Sequence, residues 1–370
     1  MRKTDKDKSD EFKTLSRWKL SLRKFKRNRL AIIGLIIVLF MYLITVFAGF
    51  WSPYTLREPH DEYNLAPPQK INFFDEDGDF HFRPFVYDYE VELDMTTMER
   101  KYTENLDKKY PVYFFVKGSE YKILNLIPSN IHFFGVEEPG KIFLFGTDDN
   151  SRDLFSRVLY GGRVSLSVGL IGVALTIILG SLFGVISGYH GGTIDIIIQR
   201  IIEVLLSFPR IPLWMALAAA VPATWSSIKV YFGITVILSL VNWGGLARQL
   251  RGKVLSLSEE EYIDAARSVG AGQFHIIFRH LIPNVLSHII VIATLSIPGM
   301  ILGETMLSFL GLGIRPPMTS WGVLLEQAQR VRVIVKSPWI TIPAFFVIVT
   351  VLGFNFLGDG IRDAADPFTD

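Results

Sequence analysis

Residues 261–284 read EYIDAARSVGAGQFHIIFRHLIPN and lie between two apolar runs that are long enough to cross a bilayer. The pattern predicts two short amphipathic helices separated by a glycine break. Helical spacing places four residues of the first helix on one face: Tyr262, Ala265, Ala266 and Val269. The second helix has an apolar stripe: Phe274, Ile277, Phe278 and Leu281. Two alanines on the first face leave room for the backbone of a partner, so the stretch is suited to docking.

The polar and special residues of this stretch fit the same interpretation. Asp264 and Arg267 lie three residues apart and can form an ion pair. Gly270 and Gly272 allow a tight turn, and Pro283 suits the first turn of the span that follows. A membrane protein with such an element can exchange force with a soluble partner. The alternative is an ordinary amphipathic loop at the membrane surface.

Hydropathy predicts an all-α polytopic membrane protein with about six spans. The chain has 370 residues, of which 49% are apolar, and the clustering of these residues decides the class. The third predicted span is interrupted by charges and the fifth contains one carboxylate. The six predicted spans are Leu30–Phe50, Ser165–Tyr189, Ile196–Val221, Val230–Leu246, Asn284–Leu312 and Trp339–Leu357.

The N-terminal tail, residues 1–29, indicates the orientation. It holds twelve Lys/Arg and four acidic residues, a net charge of +8, which predicts a cytoplasmic N-terminus. The first span, 30–51, is too long for a cleavable signal and is expected to remain as an anchor. An even number of spans returns the C-terminus to the cytoplasm. Arg152, Arg157 and Arg163 fall on the other side, but the loop before them is too long for the charge bias to count.

The insertion between the first two spans, residues 52–150, is predicted to be a β-rich extracytoplasmic domain. Residues 51–150 have a net charge of −9, which gives no attraction to an anionic membrane surface. Four runs are expected to be strands, with a turn at Lys117–Glu120. These runs are Phe80–Leu93, Tyr110–Lys117, Tyr121–Leu126 and Lys141–Gly146. The remainder, 151–370, is the predicted transmembrane core, and it contains a loop expected to be cytoplasmic, 248–283, whose candidate docking part is 259–283.

Sequence motifs for catalysis or metal binding are incomplete. Gly135–Lys141 has the glycine spacing of a phosphate-binding loop, but Ile142 stands where Ser or Thr should bind magnesium. Asp75–Asp79 resembles the start of a calcium loop, but its sixth position is Phe80, so a hairpin turn is expected. The chain has no cysteine, which excludes disulfides. We therefore expect no enzyme, no metal or cofactor on this chain, and no nucleic-acid partner.

Carboxylates and prolines within the predicted spans are candidates for a substrate pathway. Glu203 follows Arg200 by three residues, and Glu304 lies late in the fifth span. Intramembrane carboxylates usually face a bundle interior or a water-filled cavity, although an ion pair that fixes packing is an equal alternative. Pro209 and Pro298 are expected to kink their helices, which suits alternating access.

The stretch at 261–284 resembles the signature cytoplasmic loop of bacterial ABC importer permeases. In that loop Glu-Ala-Ala is followed by three residues, a Gly and, some thirteen residues later, a Pro. Here the pattern reads Asp264-Ala265-Ala266 with Gly270 and Pro283. Asp264 keeps the charge of the usual Glu on a shorter arm.

Further motifs are similar to those of the C-type permease subunits of oligopeptide and dipeptide ABC importers. The resemblance covers about 17–54 and 142–368, and Ser151 stands where that family usually has Gly. Residues 55–141 resemble an enlarged external insertion. The matching stretches are Arg27–Ala31, Trp51–Tyr54, Phe145–Arg157, Leu307–Gly313, Ser320–Gly322, Phe354–Ala364 and Asp366–Pro367.

The resemblance implies a six-helix permease core of the MetI-like type in a bacterial or archaeal cytoplasmic membrane. It also implies four partner subunits: a second permease, two ABC ATPases that carry ATP and Mg²⁺, and an extracytoplasmic solute-binding protein. Coupling to the ATPases is assigned to a set of loop residues: Tyr262, Asp264, Ala265, Ala266, Arg267, Gly270 and Pro283. Peptide is the expected solute and oligosaccharide the alternative. A stand-alone secondary carrier and a membrane-anchored sensor are the other function classes.

Overall fold

The computed structural model describes residues 17–96, 99–123 and 126–365. The first part of the basic tail, 1–16, and the Asp366–Pro367 motif lie outside these residues. A π-helical segment, Ile277–Leu281, joins α9 to α10. The helices are α1 Arg17–Arg27, α2 Arg29–Val46, α3 Ala48–Trp51, α4 Leu154–His190, α5 Gly192–Ser207, α6 Arg210–Ala219, α7 Ser227–Ser258, α8 Glu261–Ser268, α9 Gln273–Ile276, α10 Ile282–Phe309, α11 Trp321–Glu326, α12 Val331–Lys336 and α13 Ile342–Ala365.

Within the described residues, five helices are long and apolar enough to cross a membrane, and the pair α5–α6 makes a sixth if it counts as one span. The predicted third span is this bent pair, and the kink expected at Pro209 is confirmed, because α5 and α6 meet at 89°. The break falls at Phe208–Pro209. Pro209 excludes helical backbone from the residue before it, and Phe208 is extended, with φ −86° and ψ 139°.

Contacts at the two ends of the α5–α6 pair show that it carries the chain across the bundle. At its start, Asp195 pairs with Arg251 near the end of α7. Beyond its end, the Pro222 carbonyl accepts a hydrogen bond from Arg315, which belongs to the loop at the opposite end. In the described residues, six crossings result if the bent pair counts as one span, and the start of α2 lies at the same end as the end of α13. A hydrogen bond from Asn28 to Asp363, 3.2 Å long, agrees with this.

Helix α4 lies at the centre of the bundle and packs tightly against α7. Gly180, Gly184 and Gly188 are spaced four apart, so they form one stripe along α4. A Cβ added at Gly184 would lie 2.7 Å from the Ala247 carbonyl oxygen, and one at Gly188 would lie 2.7 Å from the Arg251 carbonyl oxygen. Small residues let two membrane helices approach to backbone contact, and this stripe allows that approach.

The insertion contains strands, as predicted, and they form two small antiparallel sheets. The first sheet has the order β1–β2–β3 and the second pairs β4 with β5. Long hairpins of this kind bury little unless they pack on another element. The strands are β1 Asn72–Phe74, β2 Phe80–Asp94, β3 Glu99–Pro111, β4 Tyr113–Ile123 and β5 Ile127–Gly135.

Three of the four predicted runs lie largely in strands: Phe80–Leu93 in β2, Tyr110–Lys117 in β3 and β4, and the first part of Tyr121–Leu126 in β4. The run Phe80–Leu93 is confirmed as β2. The turn predicted at Lys117–Glu120 was wrong, because β4 continues through it with a register shift. Residues 141–146 are irregular with a turn instead of the predicted strand. Most of β3 and all of β5 went unpredicted, since charges and polar residues interrupt their apolar pattern.

The hairpin turn predicted at Asp75–Asp79 is confirmed. Gly78 has φ +85°, and the Asp75 carboxylate accepts the Asp79 N–H at 2.9 Å. Hydrogen bonds from His81 and Lys109, both 2.9 Å, hold the pKa of Asp75 well below its usual range. The carboxylate is therefore ionised and partnered within the sheet.

A buried polar turn joins the insertion to α4. Asp153 caps the helix by accepting the Ser156 N–H at 2.7 Å. Asp148 is buried and forms ion pairs with Arg152 and Arg157. Ser151, which stands where the resembled family usually has glycine, has φ +58°, a conformation that glycine adopts freely.

The glycine stripe of α4 gives a stability prediction. Gly184→Ala should lower the free energy of unfolding by about 1–3 kcal/mol, because the new methyl group meets the α7 backbone. Thermal unfolding in detergent measures this. Gly245→Ala on α7 is the matched control, since a Cβ there has nothing within 4 Å. Equal melting temperatures for the two variants would contradict the packing account.

Candidate coupling loop and membrane pathway

The loop between α7 and α10 is fixed to the bundle by buried aliphatic side chains. Ile263 of α8, Ile276 of α9 and Leu281 of the π segment are all at most 1% exposed. They pack in one cluster with side chains from the ends of three spans. These partners are Val185 of α4, Leu246, Leu250 and Val254 of α7, and Val285 and Ile289 of α10. The loop is therefore attached to α4, α7 and α10 together.

A Schellman motif ends α8 and sets the turn. The Ala271 N–H donates to the Ala266 carbonyl at 3.0 Å, and the Gly270 N–H donates to the Arg267 carbonyl at 3.0 Å. Gly270 has φ +83°, as this motif requires. Gly272 has φ −69°, so only the first of the two predicted glycines supplies the left-handed conformation.

Several apolar side chains of the loop are exposed, next in sequence to exposed charged and polar ones such as Asp264, Arg267 and Gln273. Val269 is 84% exposed, Phe274 80% and Phe278 65%. Tyr262 and Ala265 are exposed beside them, whereas Ala266 is half-buried and packs inward. We call this surface the docking face: Tyr262, Ala265, Val269, Phe274 and Phe278.

The predicted stripe of the second helix was therefore wrong as a single face. Ile276 and Leu281 are the buried anchors, Ile277 is half-buried, and Phe274 and Phe278 point outward. The π-helical segment changes the side-chain spacing there, which a 3.6-residue period does not anticipate. Pro283 lies in the first turn of α10, as expected.

Polar contacts surround the docking face. Arg267 pairs with Asp264 at 3.0 Å, so the ion pair expected from their spacing is confirmed. The Arg267 guanidinium also lies over the Tyr189 ring at 5.7 Å from its centre, and so links α8 to α4. Asn284 donates to the His280 carbonyl at 2.7 Å and to the Tyr262 hydroxyl at 3.4 Å.

The structure does not bring the four candidate pathway residues together in one cavity. Glu203 is on α5 with a half-exposed side chain that pairs with Arg200 at 2.7 Å, which fits the ion-pair alternative given for it. Pro209 is at the α5–α6 break. Pro298 lies inside α10, which continues through it as one helix.

Glu304 is fully buried and bonded to hydroxyl groups. Ser165 of α4 donates to it at 2.9 Å and Ser308 of α10 at 2.6 Å. Each serine also accepts a backbone N–H from the following loop, Ser165 from Trp321 and Ser308 from Ile314. The carboxylate thus joins α4, α10 and the loop at the insertion end.

Sequence reasoning missed an ion pair at the loop end of the bundle. The Arg251 guanidinium binds Asp195 with two bonds of 2.6 Å, and Ser187 also donates to this carboxylate. Gly191 and Gly192, both with positive φ, form the turn that brings Asp195 there. The glycine pair ahead of an acid was the available signal. In the described part of the chain, no group of three or more His, Asp or Glu is placed to hold a metal ion.

Comparison with known families gives the assignment. Residues 180–370, over half of the chain, match the binding-protein-dependent transport system inner membrane component family. The chain belongs to this family. Residues 16–68 match the N-terminal TM domain of oligopeptide transport permease C. The protein is thus a permease subunit of a binding-protein-dependent importer, a multi-pass inner-membrane protein and not an enzyme, and its transport system includes other subunits.

Named relatives of this permease cover most of its length. The dipeptide transport system permease protein DppC of Alkalihalophilus pseudofirmus is 33% identical over 97% of this chain and 92% of the relative. The oligopeptide transport system permease protein OppC of Bacillus subtilis is 30% identical over 96% and 91%. OppC of Haemophilus influenzae is 44% identical over 60% of this chain and 70% of the relative.

The Schellman turn gives a prediction for the permease. Gly270→Ala should favour local opening of residues 261–281 by about 1–2 kcal/mol, because a Cβ disfavours the left-handed conformation. Amide hydrogen exchange of the loop measures this opening. Gly272→Ala is the control, since its φ suits any residue and nothing lies within 4 Å of a Cβ there. Identical exchange in both variants would refute the role of Gly270.

Proposed function

We propose that this permease works in a complex with a second permease, two ABC ATPases and an extracytoplasmic binding protein, and imports oligopeptides or dipeptides. The observation that carries the proposal is the docking face. It presents exposed aromatic and aliphatic side chains to solvent, while the loop behind it is packed onto three spans. An exposed apolar patch of this kind indicates a protein interface.

The docking face suits an ATPase subunit because it combines shape with rigidity. Ala265 is small and exposed, so a partner's surface can approach α8 closely. Asp264 and Arg267 offer charges at its edge. When ATP binding moves the ATPases together, force on α8 passes through Ile263 to α4 and α7. The loop keeps the shape that this transfer needs through four of its residues: Tyr262, Ala266, Gly270 and Pro283.

The charge distribution supports a cytoplasmic location for the docking face. The basic tail precedes α2, and Asn28 at the start of α2 bonds to Asp363 near the end of α13. The start of α2 and the end of α13 are therefore at one end, and the positive-inside bias supports placing that end in the cytoplasm. Helix α2 runs from that end to the insertion, and α7 returns the chain to it before the loop.

The exposed Glu203–Arg200 pair supports a second permease beside α5. A charged pair on a lipid-facing surface is costly, and such residues usually face a protein or a water-filled path. We assign Glu203 and the break at Pro209 to the surface that meets the second permease and lines the solute path. Glu304 and Pro298 belong to the packing of α10, because serines already satisfy the Glu304 carboxylate.

Peptide is the proposed solute because several relatives are named oligopeptide or dipeptide permeases. Oligosaccharide import through the same complex is the alternative. A secondary carrier would need a midplane carboxylate that binds and releases an ion. Glu304 is locked between two serines and Glu203 is paired, which disfavours that mechanism.

Uptake by the complex reconstituted in vesicles tests the proposal. Ala265→Trp should reduce ATP-dependent uptake of a labelled peptide by about tenfold or more, the effect of about 1.4 kcal/mol of lost docking energy. The chain's own packing should survive, because Ala265 is exposed. Binding protein should still capture the peptide.

Ala223→Trp is the matched control, an exposed alanine in the loop before α7 at the other end of the bundle. Normal import by the Ala265→Trp complex would remove the docking assignment. Competition by oligosaccharide but not by peptide would change the solute class. Uptake by this chain alone, without ATP, would establish a carrier.

A further inference from the structure

The hairpin β4–β5 leaves large apolar side chains exposed. Phe115 is 64% exposed, and Phe114, Ile127 and Ile131 are also exposed. Apolar groups clustered on a short hairpin usually mark a surface that another apolar phase covers. The lipid bilayer, a second subunit and the binding protein are the possible coverings, and the position of the hairpin distinguishes them.

The hairpin sits at the end of the first span. The ring of Phe133 lies 4.8 Å from that of Trp51, and the ring of Phe115 lies 6.3 Å from that of Phe50. The Tyr121 ring packs on Gly49 so closely that a Cβ there would lie 2.3 Å from it. Trp51 is the aromatic residue expected at the membrane–water boundary. The exposed rings of the hairpin are therefore level with the lipid headgroups.

The lipid-facing side of α2 leads directly to these rings. Ile36, Phe40 and Leu43 are exposed and share one face by helical spacing. Beyond α2, Phe50 of α3 contacts Phe115, with ring centres 6.3 Å apart. The apolar surface that lipid covers along the span thus continues onto the hairpin.

A pocket lined by three basic residues, two tyrosines and one carboxylate, Glu120, lies where the hairpin approaches α4. Arg163 in this pocket donates to the carbonyls of Thr45 and Val46 at 2.8 and 2.9 Å, which places it at the end of the span. Arg57 and Lys122 add positive charge, and guanidinium and ammonium groups bind phosphate well. The lining residues are Thr55, Leu56, Arg57, Glu120, Tyr121, Lys122, Tyr160 and Arg163.

The backbone at Phe115 adds an independent observation. Phe115 has φ +57°, a conformation that is strained for a bulky residue and natural for Gly or Asn. A phenylalanine at such a position indicates that its ring is needed there.

We propose that the hairpin β4–β5 is embedded in the lipid headgroup region on the insertion side, with a phospholipid phosphate in the pocket beside it. The insertion as a whole is acidic, with a net charge of −9 over 51–150. Apolar contact and the local cations, rather than overall charge, therefore hold it to the membrane. The hairpin fixes the insertion to the bilayer and so limits how far the external domain can tilt.

Spin-label accessibility in the assembled complex tests this proposal. The chain has no cysteine, so Phe115→Cys carries a single nitroxide on this subunit; cysteines of the partner subunits are replaced. The complex is placed in nanodiscs of phosphatidylethanolamine and phosphatidylglycerol. A label at 115 should be accessible to oxygen and protected from a water-soluble nickel chelate. Phe82→Cys, on the exposed far sheet, is the control and should meet the chelate freely.

Three results would overturn the proposal in whole or in part. If the nickel chelate reaches the label at 115 as freely as the label at 82, the hairpin lies in water. Protection from both oxygen and nickel would show a protein covering instead of lipid. If Phe115→Cys fails to assemble, Ile131→Cys on the same hairpin gives the same readout. Lys122→Glu together with Arg57→Glu should raise nickel accessibility at 115, and an unchanged value would remove the phosphate pocket.

Discussion

Burial of Ile263, Ile276 and Leu281 at the ends of α4, α7 and α10 is the constraint on which the functional account depends. These side chains attach the short loop to the bundle. The close approach of α4 and α7 through glycine supplies the surface that receives them. Without this attachment, the docking face would be a flexible loop that could bind a partner but could not move the spans.

The two ends of the bundle are organised by different chemistry. At the loop end, an aliphatic cluster and the Asp195–Arg251 pair hold the helices together. At the insertion end, Glu304 and its serines join two spans to a loop, while Asp148 and its arginines secure the start of α4. At both ends, noncovalent contacts between side chains from distant parts of the sequence hold neighbouring helices together. This favours motion of the bundle as one body.

Local patterns in the sequence were sufficient for several elements. Long apolar runs predicted the spans, Gly270 predicted the turn, and Asp75–Asp79 predicted a hairpin. Features set by distant contacts were missed. Ile263 was not predicted as an anchor, because the helical pattern indicates only the alanine face beside it. The burial of Ile263 depends on distant contacts with α7. The exposure of Glu203 could not be predicted, because hydropathy cannot distinguish the interior of a bundle from its outer surface. Strands β3 and β5 pair through register that no local pattern encodes.

The most direct test of the central claim is a distance measured inside the working complex. Spin labels at Val269→Cys in the docking face and Leu255→Cys on α7 report whether the loop and the span move together; both positions are exposed. The account predicts that this distance is the same in the nucleotide-free and ATP-bound states, while the distance from Leu255 to the paired permease changes. A change between 269 and 255 with no change between the two permeases would contradict it.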